Sequence, residues 1–453
     1  MKILIVTCVR NRPGGILNFT EQLMLGFKEL GHQVELIQMK PIKQYHSKPD
    51  NSIPEGFVRG EGSGAAVNQL KGWRGLKNFS MMNEKSVREY VEFANGFDLI
   101  IQSTMFGYAC QDTEGDTTWL PMIADVKPKQ IMVLHDGNMK RNCPWLYELR
   151  EHFDAIACVH HAAFDAADFI DVPRNIILNP FDLSLLDQPR KKFSARRNAL
   201  LSPQTFKPIK RVQDLIRAVP HMKTIEEVLV AGEGIEFNYM TSKDKCKDHY
   251  FVSREIDPDA EEKNIGRKIW DVATENHKMK HLGVIHPEKR DEILREVKFL
   301  VDSSWSKGYG EHYNRTLFEA MLLGTIPIAV NFGVSDNEEG VGQLLKPGIN
   351  YLMLRHDYTP KQYAEAVDGF CGLDDSTIEE IQSNNDALLR KLFDRKNIAQ
   401  QYIDLSEGKD VGLNPKNTTG SPTNDPISVR KSKEKWEEQF EPTTQTTLED
   451  FFS

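Results

Sequence analysis

The first forty residues run strand, glycine break, helix, strand in immediate succession, and this commits the chain to a parallel sheet. Residues 2–9 read as a strand of the parallel, buried kind, and Pro13-Gly14-Gly15 breaks it. Phe19, Leu23, Phe27 and Leu30 then recur at helical spacing until Gly31, and residues 34–37 resume as strand. Two strands joined through a helix lie parallel, with a ligand expected at the turn that leaves the carboxyl end of the first. The rhythm continues with strands expected at 98–102, 130–134, 155–159 and 176–178. It returns in the second half, where 227–232 is a strand and His281-Leu282-Gly283 closes another before a helix over 287–297. The pattern predicts an α/β chain with two doubly wound domains.

Length agrees with that division, because 453 residues exceed what one hydrophobic core ordinarily holds. The apolar stretch 3–9 is far too short to cross a bilayer and reads as a first strand, not a signal peptide, so a cytoplasmic protein without membrane contact is expected. Six cysteines, at 8, 110, 143, 158, 246 and 371, show no paired spacing and read as reduced core residues, not a disulfide frame or zinc site. A net charge of -9 argues against indiscriminate coating of nucleic acid. Residues 1–78 nevertheless carry eleven basic groups against six acidic ones, which suits either a solvated surface or a phosphate-tracking face. Residues 43–73 are polar, glycine-rich and irregular, a loop expected to hold acceptor contacts, with Trp73 and Phe79 available for stacking.

The segment 301–330, VDSSWSKGYGEHYNRTLFEAMLLGTIPIAV, says most about function. Gly308 and Gly310 let the backbone approach a ligand closely, and the helix that follows presents its unpaired N–H groups to an anion such as a diphosphate. Glu311 and Glu319 are eight residues apart, so if both are helical they share a face. One acid would then hold donor-sugar hydroxyls and the deeper one two ribose hydroxyls. The alternative is an ordinary buried α/β unit with a solvated acidic face.

These features resemble the retaining glycosyltransferases of the glycogen-synthase type over roughly residues 1–405. The resemblance implies the GT-B fold, in which two Rossmann-like domains face a central cleft. Members of that family carry Glu-Gly-Phe-Gly followed after four residues by Glu-Ala-Met. Here Lys307-Gly308-Tyr309-Gly310 keeps the glycines without the first acid, and Glu311 meets the Glu-to-Glu spacing. The family's Gly-Arg-Leu, three residues, Lys pattern leaves Lys210 at the lysine position and Thr205 at the arginine position, with Lys207 or Arg211 as substitutes. The implied donor-binding set is therefore Gly14, Gly15, Lys207, Lys210, Arg211, Gly308, Tyr309, Gly310, Glu311 and Glu319. No metal or other cofactor is implied, and the donor substrate is a nucleotide sugar, expected to be a UDP-sugar. Asp257-Pro258-Asp259 mimics the paired-acid metal signature of the other glycosyltransferase architecture but reads as surface.

Residues 131–142, IMVLHDGNMKRN, resemble the corresponding segment of the T-even bacteriophage DNA α-glucosyltransferases. That likeness implies catalytic roles for His135, orienting the transferred sugar, and Asp136, at the acceptor hydroxyl or its water, with Glu311 as third member. Either His135 or Asp136 would otherwise merely cap a strand end. It also implies double-stranded DNA carrying 5-hydroxymethyl pyrimidines as acceptor, in an infected cell.

Asn179-Pro180-Phe181-Asp182 resembles the family's crossover between domains. The expected layout is an acceptor-side domain over 1–185, a nucleotide-sugar domain over 186–372, bracing helices over 373–406, a linker over 407–428, and a short helix with tail over 429–453. Ser376-Thr377-Ile378-Glu379 reads as a capping box opening a helical region that runs to about 405. In the tail, Gln445, Leu448, Phe451 and Phe452 satisfy Gln-x-x-Leu-x-x-Phe-Phe, which resembles the peptide that docks on trimeric DNA sliding clamps. A linker of about 20 residues spans on the order of 25 Å and would hold a docked enzyme beside new duplex at roughly millimolar local concentration. The same sequence leaves open a lipid or polysaccharide acceptor, and a clamp-bound accessory protein that keeps the fold without catalysis.

Overall fold

The computed structural model of the protein describes residues 1–8, 15–40, 78–80, 84–103, 124–135, 150–168, 170–242, 244–275, 278–304, 314–331, 344–345 and 348–413. Residues 1–412 form one compact unit and 413–453 another. Two sheets, parallel throughout their described pairings, organise the first unit. Strands β1 (Lys2–Cys8), β2 (Gln33–Lys40), β3 (Asn78–Ser80), β4 (Leu99–Gln102), β5 (Lys129–Leu134), β6 (Ala155–Cys158) and β7 (Arg174–Ile176) pair in the order β3-β2-β1-β4-β5-β6-β7. The second sheet takes β8 (Arg197–Pro203), β9 (Glu227–Ala231), β10 (Met279–His281), β11 (Val297–Asp302), β12 (Ile326–Asn331) and β13 (Leu352–Arg355) in the order β10-β9-β8-β11-β12-β13. Each sheet starts near its middle, winds to one edge, then returns to wind to the other. A switch point results between β1 and β4 and between β8 and β11, where a crevice opens at the carboxyl ends. Helices cover both faces, which is why β4 and β11 are buried at every position.

Helix α1 (Gly15–Glu29) puts Phe19, Leu23 and Phe27 into the core, as their spacing predicts. Then follow α2 (Glu84–Ala94), α3 (His161–Ala166), α4 (Val212–Ala218), α5 (Ile235–Thr241), α6 (Ile269–Glu275), α7 (Pro287–Glu296), α8 (Arg315–Leu322), α9 (Pro360–Cys371), α10 (Asp375–Leu392) and α11 (Arg395–Ser406). Helix α11 returns to the first domain and packs on α1, where Gly26 admits the Arg395 carbonyl at a distance no Cβ would allow. Arg395 pairs with Glu29 and reaches Asp182 at 3.1 Å, while Tyr402 buries its ring between Phe19 and Phe27. Lys129 Nζ donates to the Ser406 carbonyl at the end of α11, a cation on the negative pole of the helix.

Three sequence expectations change. The N-cap of α10 is Asp374, not Ser376: its carboxylate accepts from Thr377 N at 2.8 Å, and Phe393 and Asp394 divide the region into two helices. The reciprocal capping box lies earlier, between Thr359 and Gln362 at the start of α9. Phe79 is a core residue of β3, packed on Tyr90 and Phe93, and does not offer its face to a base. Residues 410 and 411, placed by composition in the linker, still bind the first sheet: Asn175 Nδ2 donates to Asp410 Oδ1 and the Val411 carbonyl at 2.8 Å each. Composition registers polarity, whereas this contact depends on one buried asparagine at the sheet edge.

Candidate active site

The carboxyl ends of the two sheets gather the polar groups. In the first domain, His135 follows β5, and its Nε2 lies 3.0 Å from the Ser103 carbonyl at the end of β4. A carbonyl only accepts, so Nε2 carries a proton. Phe19 meets the ring edge-on at 4.8 Å and limits its rotation. Ser103 Oγ donates to the Val6 carbonyl at 3.1 Å and lies 3.0 Å from Thr20 Oγ1 on α1. His160, the N-cap of α3, accepts from Ala163 N through Nδ1 at 3.0 Å, which directs its Nε2 proton to the His135 carbonyl at 3.4 Å. One hydrogen-bonded string thus ties the ends of β1, β4, β5 and β6 around His135.

In the second domain, two glycines pull the turns together. Gly232 adopts φ +123°, and a Cβ there would meet the Gln204 carbonyl oxygen at 2.1 Å; a Cβ on Gly234 would meet that of Phe206 at 2.2 Å. The turn after β9 therefore seats directly on the turn after β8, with Phe206 N donating to the Glu233 carbonyl at 3.0 Å. That seating sets the short 3-10 turn Pro208–Lys210 beside the end of β11. Lys210 is half-buried; burial pushes its ammonium down to about 8, while Asp302 works against that and Lys207 with it. Asp302, the last residue of β11, is buried and accepts from Ser304 N at 3.0 Å, from Ser304 Oγ and from Asn314 Nδ2. Asn314 also caps α8, its Oδ1 accepting from Thr316 N at 3.0 Å. The start of α8 is thereby fixed to the strand end.

Charges at two helix starts of the second half reach α1 of the first. Glu21, in α1, has its carboxyl raised first by burial and then by Glu288 at the start of α7, with Arg315 at the start of α8 opposing. Arg315 stacks its guanidinium over Phe181 of the crossover segment at 4.1 Å and holds Glu319 Oε1 at 3.0 Å.

Of the residues singled out from the sequence, His135, Lys207, Lys210, Arg211 and Glu319 are placed with their side chains, and Gly15 opens α1. Lys207 is exposed, within electrostatic reach of Lys210. Arg211 takes a left-handed backbone, φ 46°, and gives its guanidinium to Asp214. Glu319 is buried between Arg290 and Arg315. Its helix begins after the N-cap Asn314. Asp257 is buried, not on the surface as expected. Gly14, Asp136, Gly308, Tyr309, Gly310 and Glu311 lie outside the described residues, as do Gln445, Leu448, Phe451 and Phe452. Sequence reasoning missed Asp302, Asn314, Arg290, Arg315 and His160; only Asp302 carried a signal, as the acid that ends a buried strand. Among the described residues no three His, Cys, Asp or Glu side chains group to hold a metal, and no helix is long and apolar enough to cross a membrane.

No protein-family model and no curated protein sequence matches the chain. Solved structures do. Anabaena Alr3699/HepE in complex with UDP superposes with TM-score 0.61 at 17% identity, over 90% of this chain and 100% of that one. An α-glucosyltransferase bound to UDP and a 13-mer DNA containing an HMU base gives 0.60 at 14%, over 90% and 99%. A glycosyltransferase from Rickettsia africae gives 0.56 at 12%, over 90% and 98%. With its two doubly wound sheets and returning C-terminal helix, the chain has the GT-B fold.

Proposed function

We propose that the protein is a retaining glycosyltransferase that moves a sugar from a UDP-sugar onto 5-hydroxymethyl pyrimidines of double-stranded DNA. The observation that carries the reading is Lys210 beside Asp302 at the switch point of one sheet, with His135 anchored at the carboxyl end of the other. Two similar folds bind UDP, one of them together with DNA that contains an HMU base. In this reading Lys210, with Lys207 near it, neutralises the diphosphate, and the start of α8 adds backbone N–H groups to the same anion. His135 orients the sugar and Asp136 meets the acceptor hydroxyl. The anomeric carbon loses its bond to the β-phosphate oxygen and gains one to the acceptor oxygen on the same face, and the departing phosphate takes the acceptor proton. Glu319 receives the ribose hydroxyls once Arg290 turns aside. Arg290 has to move first because its Nη1 lies 2.5 Å from Glu319 Oε2 and hydrogen-bonds to that carboxylate.

The acceptor hydroxyl sits at the major-groove edge of a stacked base, so the enzyme must read that groove or flip the base out. The surplus of basic residues over 1–78 supports a duplex partner, and the tail anchors support mooring to a trimeric sliding clamp. The test incubates the protein with hydroxymethylcytosine DNA, unmodified DNA and a panel of UDP-sugars, then digests the DNA and weighs the nucleosides. A hexose or pentose mass gained by the hydroxymethylated nucleoside alone is the expected result. Absence of UDP release from every donor would leave only an inert scaffold.

A further inference from the structure

Asp302 ends β11, one of the two middle strands of its sheet, and is 3% exposed. An ionised carboxylate taken out of water needs donors and a matching charge. The donors are at hand: Oδ1 accepts from Ser304 N at 3.0 Å and from Ser304 Oγ, and Oδ2 accepts from Asn314 Nδ2. All three are neutral groups, so they solvate the anion without cancelling its charge. Asn314 is fully committed in turn. Its Oδ1 accepts from Thr316 N at 3.0 Å and from Thr316 Oγ1 at 2.6 Å, so one amide joins the strand end to the first turn of α8. On its other side β11 pairs with β8, and the turn that leaves β8 carries Lys210. Among the described residues, the charges that act on the Lys210 ammonium are Asp302, which favours it, and Lys207, which opposes it.

The turn after β11 does not itself require an acid. The oxygen of a neutral amide would accept equally well from Ser304 N and Oγ. What an amide lacks is a second acceptor for Asn314 and a negative charge opposite Lys210. A carboxylate also repels the diphosphate that the site is to hold, so its presence calls for a gain elsewhere. We propose, on the donor reading above, that Asp302 is a positioning residue of the diphosphate site: without touching the nucleotide, it fixes the start of α8 through Asn314 and sets a counter-charge against Lys210, so that helix and ammonium meet the same anion.

The experiment titrates full-length wild type, Asp302→Asn, Asp302→Glu, Asn314→Ser and Lys210→Met with UDP by calorimetry, across the pH range in which affinity falls, with melting temperatures as a check on folding. The ionisation of UDP itself is common to all five and cancels in the comparison. In Asp302→Asn the midpoint of the fall should move to lower pH by about one unit, so that UDP binds about tenfold more weakly above pH 8. Asp302→Glu keeps the charge and should return the midpoint toward the wild-type value. A role confined to folding would lower the melting temperature and leave the midpoint in place. Asn314→Ser keeps an N-cap but loses the bond to Asp302, and should weaken UDP by about threefold or more at every pH with the midpoint unmoved. An unmoved midpoint in Asp302→Asn overturns the proposal; so does native affinity in Asn314→Ser, which decides the matter if Asp302→Asn does not fold. Native UDP affinity in Lys210→Met sinks the donor reading itself, whereas lost affinity there beside an unmoved midpoint in Asp302→Asn leaves that reading standing and removes Asp302 from it.

Discussion

Arg290 Nη1 stands 2.5 Å from Glu319 Oε2, so the carboxylate expected to receive ribose is already clasped by a guanidinium from α7, with Arg315 holding its other oxygen. All three side chains are largely buried, and a buried pair stripped of one partner leaves an uncompensated charge. Glu319→Ala should therefore cost about 3–5 kcal/mol of stability in urea denaturation and weaken UDP binding severely. Glu319→Ala combined with Arg290→Leu should recover part of the stability but not the affinity. Wild-type affinity for UDP in the double variant would remove Glu319 from the donor site.

Lys210 gives a pH signature. Its folded-state pKa, lowered by burial to about 8, lies below the 10.5 of an unperturbed lysine, so between those values the unfolded chain binds more protons. The penalty of the buried ammonium is fully present below pH 8 and is relieved as pH rises toward 10.5, so this group alone makes stability rise across that window. A bound diphosphate favours the charged form, and UDP affinity should fall as pH rises through about 8. Calorimetric titrations in buffers of different ionisation enthalpy should detect proton uptake on binding above that pH, and Lys210→Met should abolish it. Equal uptake in the variant would assign the proton elsewhere.

Arg211 occupies the left-handed region at φ 46° while pairing with Asp214. Any side chain with a Cβ pays about 1–2 kcal/mol there, and glycine does not. Arg211→Gly should be more stable than Arg211→Ala by about 1 kcal/mol, since both lose the same ion pair. Equal melting temperatures for the two would mean that the turn before α4 relaxes in solution.

His160 does two things through its two nitrogens, capping α3 and contacting the His135 carbonyl. His160→Ser should keep the cap and lose the contact, whereas His160→Ala loses both and about 1 kcal/mol of stability. If the contact positions His135, the serine variant should show a reduced kcat at near-native stability. Native kcat in His160→Ser would confine this residue to helix capping.

The tail yields a prediction from sequence alone. Phe451→Ala with Phe452→Ala should abolish co-purification with a trimeric clamp and leave activity on short oligonucleotides intact. Retained clamp binding would sink the docking reading.

The alternation of apolar runs with helical spacing specified the parallel sheets, because burial on two faces and crossover through a helix depend on local pattern. Strand ends were therefore legible to within a few residues, as 130–134 against Lys129–Leu134 illustrates. His135 could be placed at a strand carboxyl end from the apolar run before it, and Lys210 was singled out by the pattern the resemblance supplies, counted back from Ala218. The partners of Glu319 were not, since Arg290 is 29 positions away in sequence and meets it only when α7 packs beside α8. Nor could Asp257 be told from a surface acid, because its neighbour His221 is 36 residues distant. Pattern along a chain fixes which elements form; which charges end up buried against one another is decided when those elements pack, and there the cost of an unpaired group selects the arrangement.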